Sequence, residues 1–444
     1  MLLLVLVLVI TLALVAPQLV SNLRDIGTVA LEKQASISAT KKPGESAVYR
    51  SVDVPHGLPL TTGLRIQTGY KIRDGILKDI WHQALQKDTV LEVGGATRSI
   101  RQINGMILHL AQQMDQHNVG PRVGLNSGLD DLHALVVLFC CFFVCDRTVV
   151  VGQNPNVDVL FERKTAGSAA NVVDLDDPTY FLERPETTDY AYNPIKDYSR
   201  FNNEPYIELI DGVEYRYFQR SFVSAVASQL MSLSTAFSWS TRDRLLVVVG
   251  NRNNALVKIL CGLLTGVELI TVAADAPIDA LVGSRPTIVS APSAWLQPLV
   301  HVRPSPLRAL LLNRAEFLNS HGIFNPLGKM YATRLRLVYL QDSIFTSAQY
   351  NKLKSLLHAR IVKETDIRGS MGPLLKTNLF EYRLLGQNQL GVPANSVELK
   401  TRDGRLYARG FVLAKHDAMK VDEEMWTDTG LRGFFATDGC FYAS

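Results

Sequence analysis

The sequence predicts an α/β fold: a parallel sheet covered by helices, a small β unit towards the C-terminal end, and one membrane-spanning helix in front. Three observations carry that reading. Apolar strands alternate with helical segments through the middle of the chain, as in "RDRLLVVVG", "NALVKILCGLLTG" and "VELITV", and βαβ alternation marks a parallel sheet. From Gly391 the rhythm changes to short strands and turns, "SVELKTRDGRLYARGFVLA". At the other end, "MLLLVLVLVITLALVAPQLV" carries no charge before Arg24.

Twenty helical residues span about 30 Å, the thickness of a bilayer's hydrocarbon core. A cleaved signal peptide would want a basic leading region and small residues at a cleavage site. No Lys or Arg precedes the apolar run, and the Ala13–Ala16 step is followed at once by Pro17, which favours an uncleaved anchor over residues 1–20. Arg24, Lys33, Lys41 and Lys42 lie only on its C-terminal flank, so the positive-inside rule puts the remainder in the cytosol. The expectation is a single-pass protein of the endoplasmic reticulum or a related membrane. Residues 21–60 then read as a polar linker.

Helix signals follow. "SIRQINGMILHLAQQM" opens with a capping box, Ser99 to Gln102, and Ile103, Ile107, Leu110 and Met114 make one apolar face. "RVGL" reads as a strand, "DDLHALVVLFCCFF" as a buried helix and "RTVVVG" as a strand. The apolar run Ala134–Cys145 is too short to span a membrane. Residues 151–220 are polar and turn-rich, a long irregular stretch. A helix is expected from about Arg220 to Ser234, then the strand and helix runs quoted above, then strands at "RPTIVSAP" and Leu335–Leu340 and a helix at "SAQYNKLKSLLHA". Asp403-Gly404 supplies a hairpin turn. The resulting division is 61–390 for the α/β domain and 391–444 for the β unit.

Composition excludes some functions. The chain has 444 residues, 47% hydrophobic and 20% charged, with a net charge of +4. That is enough for sizeable cores, and it leaves no basic footprint for nucleic acid. Three of the five cysteines, Cys140, Cys141 and Cys145, lie in one apolar run, without a C-x-x-C pair. They read as reduced, buried thiols in a reducing compartment, with no metal site. The nine His are scattered, with no H-E-x-x-H, and no G-x-S-x-G elbow exists. His109 and His133 read as helix-face residues.

Several strings, in order, resemble the N-terminal domain of the adenylate-forming (AMP-binding) superfamily, and among its branches the long-chain acyl-CoA synthetases. They are "PGESAVYRS", "HNVGPRVGLNSGLDDLHALVVLF", "TRDRLLVVV" with "LLTGVELITV", "RPTIVSAPSAW", "HARIVKETDIRGSMG", "GVPANSVELKTRDGRLYARG" and "MWTDTGLRGFFATDGCFY". The resemblance spans roughly residues 45–444. It implies layered α/β subdomains with a small β-barrel-like unit. It also implies the family's chemistry: a carboxylate is activated with ATP and Mg²⁺ to an acyl-adenylate, and a thiol then takes the acyl group. That chemistry needs a Gly-rich phosphate loop, a Glu that helps hold Mg²⁺, an Asp for the ribose hydroxyls, and a Lys from a further C-terminal domain.

Residue by residue, this chain departs from the pattern. The phosphate-loop window, about Asp189 to Arg220, has one Gly, Gly212, and carries Glu204, Glu208, Asp211 and Glu214. The alternative placement, Ser232–Thr241, has no Gly and reads as a helix end. Where the family has "YGxTE", the chain has Val362-Lys363-Glu364-Thr365-Asp366. Thr365 and Asp366 are the candidate cofactor-binding residues, as a vestige of the metal site; the other reading of "KETD" is a solvated turn at a strand end. After Thr429-Gly430 the family's Asp is Leu431, and Asp428 precedes the step. Losing one partner of a paired polar contact costs roughly 1–3 kcal/mol. Trp426, Phe434 and Phe435 are expected to pack under the β unit. The sequence stops at Ser444, where the family continues into its catalytic C-terminal domain.

The resulting expectation is a membrane-anchored, catalytically degenerate acyl-CoA synthetase-like protein with no catalytic or metal-ligating residues. It would act as scaffold, partner or lipid-responsive subunit. Its partners would be the membrane, a protein, and a fatty acid or acyl lipid, with no nucleic acid and no cofactor. One alternative is a divergent ligase, using ATP and Mg²⁺, that a partner chain completes; another is a lipid-binding module.

Overall fold

The structure is a computed structural model that describes residues 23–39, 42–153, 155–164, 171–331, 334–342, 345–383, 388–416 and 424–444. The anchor expected over residues 1–20 lies outside the described residues. Among the described residues, no helix is long and apolar enough to cross a membrane.

The central sheet carries six parallel strands in the spatial order Val90–Val93, Leu269–Ala273, Arg244–Val248, Ile288–Pro292, Leu337–Gln341 and Arg360–Thr365. Alternation explains how both faces are filled. Leu245, Val247, Leu337 and Tyr339 enter one core, while Leu246, Val248, Val338 and Leu340 enter another. Strands buried on both faces read as continuous apolar runs, and this is why "LLVVV" and "LVYL" stand out in the sequence.

A second sheet lies across the helical layer, in the order Val172–Asp174, Val159–Glu162, Arg122–Asn126, Thr148–Gly152, Tyr206–Ile210 and Val213–Tyr217. Between the sheets sit the helices Leu77–Leu85, Ile100–Gln116, Leu132–Phe139, Gln219–Met231 and Arg252–Thr265. The last is buried from Asn253 to Leu263 without interruption, as befits a helix with protein on every side. The capping box at Ser99 forms as its spacing predicts: Gln102 N–H donates to the Ser99 hydroxyl at 3.1 Å, and Ser99 N–H donates to the Gln102 carbonyl oxygen at 2.9 Å.

Two stretches differ from expectation. Residues 151–220 carry four of the second sheet's strands and the end of a fifth, including the hairpin Tyr206–Ile210/Val213–Tyr217. Residues 21–60 supply two strands, Ala35–Ile37 and Tyr49–Ser51, in place of a bare linker. Tyr49 pairs with Leu399, so these strands edge the C-terminal β unit. That unit contains Val397–Arg402, Arg405–Gly410, Thr427–Phe435 and Phe441–Ala443. Leu375–Lys376 and Gln389–Pro393 continue it, antiparallel, into the central sheet.

Candidate functional site

The stretch that resembles the family's "YGxTE" motif lies at the carboxyl ends of the parallel strands, the edge where open α/β sheets bind ligands. Arg360–Thr365 delivers Glu364, Thr365 and Asp366 there, and Leu337–Gln341 delivers Gln341. Facing them is the N-terminus of helix Arg252–Thr265, capped by the Asn251 side chain, which accepts from Asn254 N–H at 3.1 Å. Asn254 and Lys258 are four residues apart and therefore share a helix face.

That face meets the strand end in a closed set of contacts. Lys258 Nζ lies 2.5 Å from Glu364 Oε1, and both side chains are fully buried. Asn254 Nδ2 donates to Glu364 Oε2 at 3.0 Å and to Asp366 Oδ2 at 3.0 Å. The Lys258 ammonium also stands 3.7 Å from the centre of the Tyr339 ring. Burial, and then the Glu364 charge, push the Asp366 carboxyl up to about 7, against the Asn254 hydrogen bond that lowers it. The Thr365 hydroxyl has no hydrogen-bond partner among the described residues. "KETD" is thus no solvated turn: Lys363 and Glu364 are buried, and Lys363 Nζ donates to the Gln389 carbonyl at 3.1 Å.

The stretch expected to hold a phosphate loop contains a tight hairpin. Ile210 pairs with Val213, leaving a two-residue turn, Asp211-Gly212, with φ of 51° and 78°. This is the geometry that Asp-Gly favours. The flanking N–H groups belong to the ladder, so no nest of donors faces a ligand. The carboxylates nearby have internal partners. Glu208 accepts from Tyr217 at 3.2 Å and from Asn253 at 3.0 Å; Glu214 accepts from Arg122 at 2.6 Å; Asp211 pairs with Arg368 at 2.6 Å. The alternative placement behaves as a helix end: the helix stops at Met231, and Trp239 Nε1 donates to the Tyr339 hydroxyl at 3.2 Å.

The Thr429-Gly430 step keeps its turn and fills its own polar needs. Thr429 Oγ1 donates to the Leu406 carbonyl at 2.8 Å and accepts from Leu431 N–H at 3.2 Å. Asp428 accepts from Gly430 N–H at 2.9 Å and pairs with Arg405 at 3.0 Å, so it points along the β unit. Leu431 is half-buried against the main core. Trp426 is buried beneath Lys400 and Arg409, and Phe435 stacks on Tyr49 with centroids 3.8 Å apart. Phe434 differs from expectation: it is 58% exposed, stacked on the outer face against Tyr442.

Sequence reasoning placed Asp366 and Thr365 here and missed Lys258, Asn254 and Glu364. The signal was a lone Lys inside the apolar helical run "NALVKILCGLL", because a buried Lys demands a partner. The two histidines read as helix-face residues make local contacts. His109 Nε2 lies 3.0 Å from the Thr179 carbonyl and its Nδ1 is 2.8 Å from Arg184, while His133 stacks on Phe181. No cluster of His, Cys, Asp and Glu suited to a metal occurs among the described residues.

A cavity of about 640 Å³ lies away from these residues, between the β unit and the second sheet. Phe218, Phe411, Leu413 and Met425 give it an apolar wall, and Arg220 and Lys415 stand at its edge. Both cations contact the Phe218 ring, at 4.6 and 5.0 Å, and neither has a carboxylate partner among the described residues.

Comparison with known proteins bears out the α/β part of the expected fold. The N-terminal domain of FACL13 from Mycobacterium tuberculosis superposes with a TM-score of 0.63 at 14% identity, covering 83% of this chain and 99% of that one. A luciferase-like enzyme from the mealworm Zophobas morio gives 0.62 at 11% identity, covering 87% and 99%. The o-succinylbenzoate CoA synthetase MenE of Bacillus subtilis gives 0.61 at 12% identity, covering 83% and 78%. The chain therefore has the fold of the adenylate-forming enzymes. No family model matches the sequence. Among curated proteins, the uncharacterized protein YHR045W of Saccharomyces cerevisiae is 23% identical, over 94% of each chain.

Proposed function

We propose that this chain is a catalytically degenerate relative of the acyl-CoA synthetases, acting at the cytosolic face of the endoplasmic reticulum or a related membrane as scaffold, partner or lipid-responsive subunit. The observation that carries the reading is the two-residue turn Asp211-Gly212 in the stretch where a phosphate loop would lie. A polyphosphate is held by several converging backbone N–H groups; a two-residue hairpin turn leaves at most the N–H groups of Asp211 and Gly212 outside the ladder, and the Asp211 carboxylate at its tip is paired with Arg368. The strand-end carboxylates support the same reading. Glu364 is paired with Lys258, and both of its oxygens have partners. Asp366 is tied to Asn254 and, with its carboxyl raised to about 7, carries only part of a charge at neutral pH. Leucine at 431 offers no acceptor to a ribose hydroxyl. These residues do not fit ATP with Mg²⁺. Membrane attachment rests on the uncharged run Met1–Val20 and its basic flank.

Titration calorimetry of the purified chain with ATP and Mg²⁺ tests the reading. No saturable heat is expected; binding tighter than about 1 mM, a free energy near −4 kcal/mol, would overturn it. A lipid-binding role is favoured by the cavity beside Phe218, whose apolar wall and two cations without a carboxylate partner among the described residues suit a fatty acid or acyl lipid. Lipid co-purified with the chain, read by mass spectrometry, tests that role, and Arg220→Ala with Lys415→Ala should reduce it.

A further inference from the structure

The apolar cysteine run ends in an uncommon turn. Helix Leu132–Phe139 passes into a π turn over Cys140–Val144, and Cys145 N–H donates to the Cys140 carbonyl at 2.9 Å. In an α-helix, residues five apart would point about 140° away from each other, at roughly 100° per residue. The wider turn brings them to the same side instead, and the two sulfurs stand 3.4 Å apart. Such single π turns are rare and recur at functional sites.

The two thiols are not equivalent. Cys140 is fully buried, whereas Cys145 is partly open to solvent. Arg147 sits beside Cys145, held there by an ion pair with Asp115 at 2.8 Å and a hydrogen bond to the Val119 carbonyl at 3.2 Å. Burial pushes the Cys140 thiol well up. The hydrogen bond with Cys140, and then Arg147, bring Cys145 below the ordinary thiol value in spite of its own burial. The remaining cysteines are inert by comparison: burial raises Cys141 well above the usual range, and raises Cys261 and Cys440 to about 12.

We propose that Cys145 and Cys140 form a peroxide-reactive dithiol, with Cys145 as the nucleophile and Cys140 as the resolving thiol. The Cys145 thiolate attacks one oxygen of a hydroperoxide; an S–O bond forms, the O–O bond breaks, and the leaving oxygen departs as water or alcohol after taking up a proton. Cys140 then attacks the sulfenic sulfur. An S–S bond forms, the S–O bond breaks, and the hydroxide leaves as water with the Cys140 proton. Two thiols have lost two electrons, and the peroxide has gained them. A reducing compartment keeps the pair as thiols at rest, and exchange with a small thiol restores it. This site stands apart from the proposed loss of nucleotide chemistry and does not depend on it.

The test treats the full-length protein with hydrogen peroxide, blocks the remaining thiols with a maleimide, and maps the peptides by mass spectrometry. The folded protein should lose two alkylatable thiols, with a Cys140–Cys145 link that dithiothreitol reverses. Cys141→Ser should behave the same way. Cys140→Ser should stop at a sulfenic acid on position 145 that dimedone traps, and Cys145→Ser should keep its thiols. The wild-type map needs no variant to fold, so it decides by itself. A link through Cys141, or no thiol loss from the folded protein under conditions that oxidise the urea-unfolded chain, would overturn the proposal.

Discussion

Replacing Lys258 by methionine removes the cation that pairs with Glu364. Lys258 and Glu364 are both fully buried, with nitrogen and oxygen 2.5 Å apart. Removing one partner of such a pair costs about 3–5 kcal/mol, since the other is left as an unpaired buried charge. The cation also lies 3.7 Å from the Tyr339 ring centre, and a desolvated contact of that kind contributes up to about 2 kcal/mol. Methionine keeps most of the side-chain volume, so little of the loss arises from a cavity. Lys258→Met should therefore destabilise the chain by about 4 kcal/mol. The double variant Lys258→Met/Glu364→Leu should recover most of this, because a buried pair exchanged for apolar groups is often neutral; Asn254 retains Asp366 as an acceptor. Urea unfolding followed by tryptophan fluorescence supplies the four corners of the cycle. A single variant that costs under about 1 kcal/mol, or a double variant as unstable as the single, would refute the view that Glu364 is held internally.

Asp366 gives a pH signature. Its carboxyl is raised from the ordinary range to about 7 by burial and by Glu364, so between about pH 4 and 7 the folded chain binds more protons than the unfolded one and stability falls as pH rises. Asp366→Asn should abolish that fall; the gain at pH 8 is at most about 4 kcal/mol, less whatever solvent screening removes, and urea midpoints that track the parent at pH 4.5 and 8 alike would contradict it. Asp366→Ala should leave function in cells unchanged at normal protein abundance. Leu431→Asp alone should restore neither ATP binding nor adenylation, because the hairpin at Asp211-Gly212 remains; calorimetry checks this. Alkaline carbonate should leave the chain in the membrane pellet, and release into the supernatant would remove the anchor from the account.

Local signals were legible in the sequence where a single element carries them. The Ser99/Gln102 box, the apolar strands around Leu245 and Val338, and the Asp403-Gly404 turn each depend on residues a few positions apart. The hairpin Tyr206–Tyr217 was also readable, since "YIELIDGVEYRY" contains an Asp-Gly turn between strand-forming residues; its carboxylates made it look like loop. Other features depend on distant partners. The ribbon of Ala35–Ile37 and Tyr49–Ser51 joins the C-terminal β unit because Leu399 pairs with Tyr49, and the Lys258–Glu364 contact joins residues 106 positions apart. Nothing local to Glu364 announces that its counter-charge stands on a helix. Trp426 and Phe435 packed as their apolar bulk suggested, whereas Phe434 alternates outward along the strand Thr427–Phe435.

Pyrophosphate release tests the central claim most directly. The full-length chain, in detergent or in membranes, is incubated with ATP, Mg²⁺, coenzyme A and a panel of fatty acids, and the released pyrophosphate is measured against the same mixture without the chain. Loss of a single stabilising donor at a reacting centre costs roughly 10²–10³ in rate, and in the proposed reading the Asp211-Gly212 hairpin, Leu431 and the paired Glu364 stand where a donor loop, a ribose acceptor and an open carboxylate would be needed. The account predicts no release above the control for any fatty acid. Release that depends on a particular fatty acid, and that disappears when the chain is omitted, would contradict it.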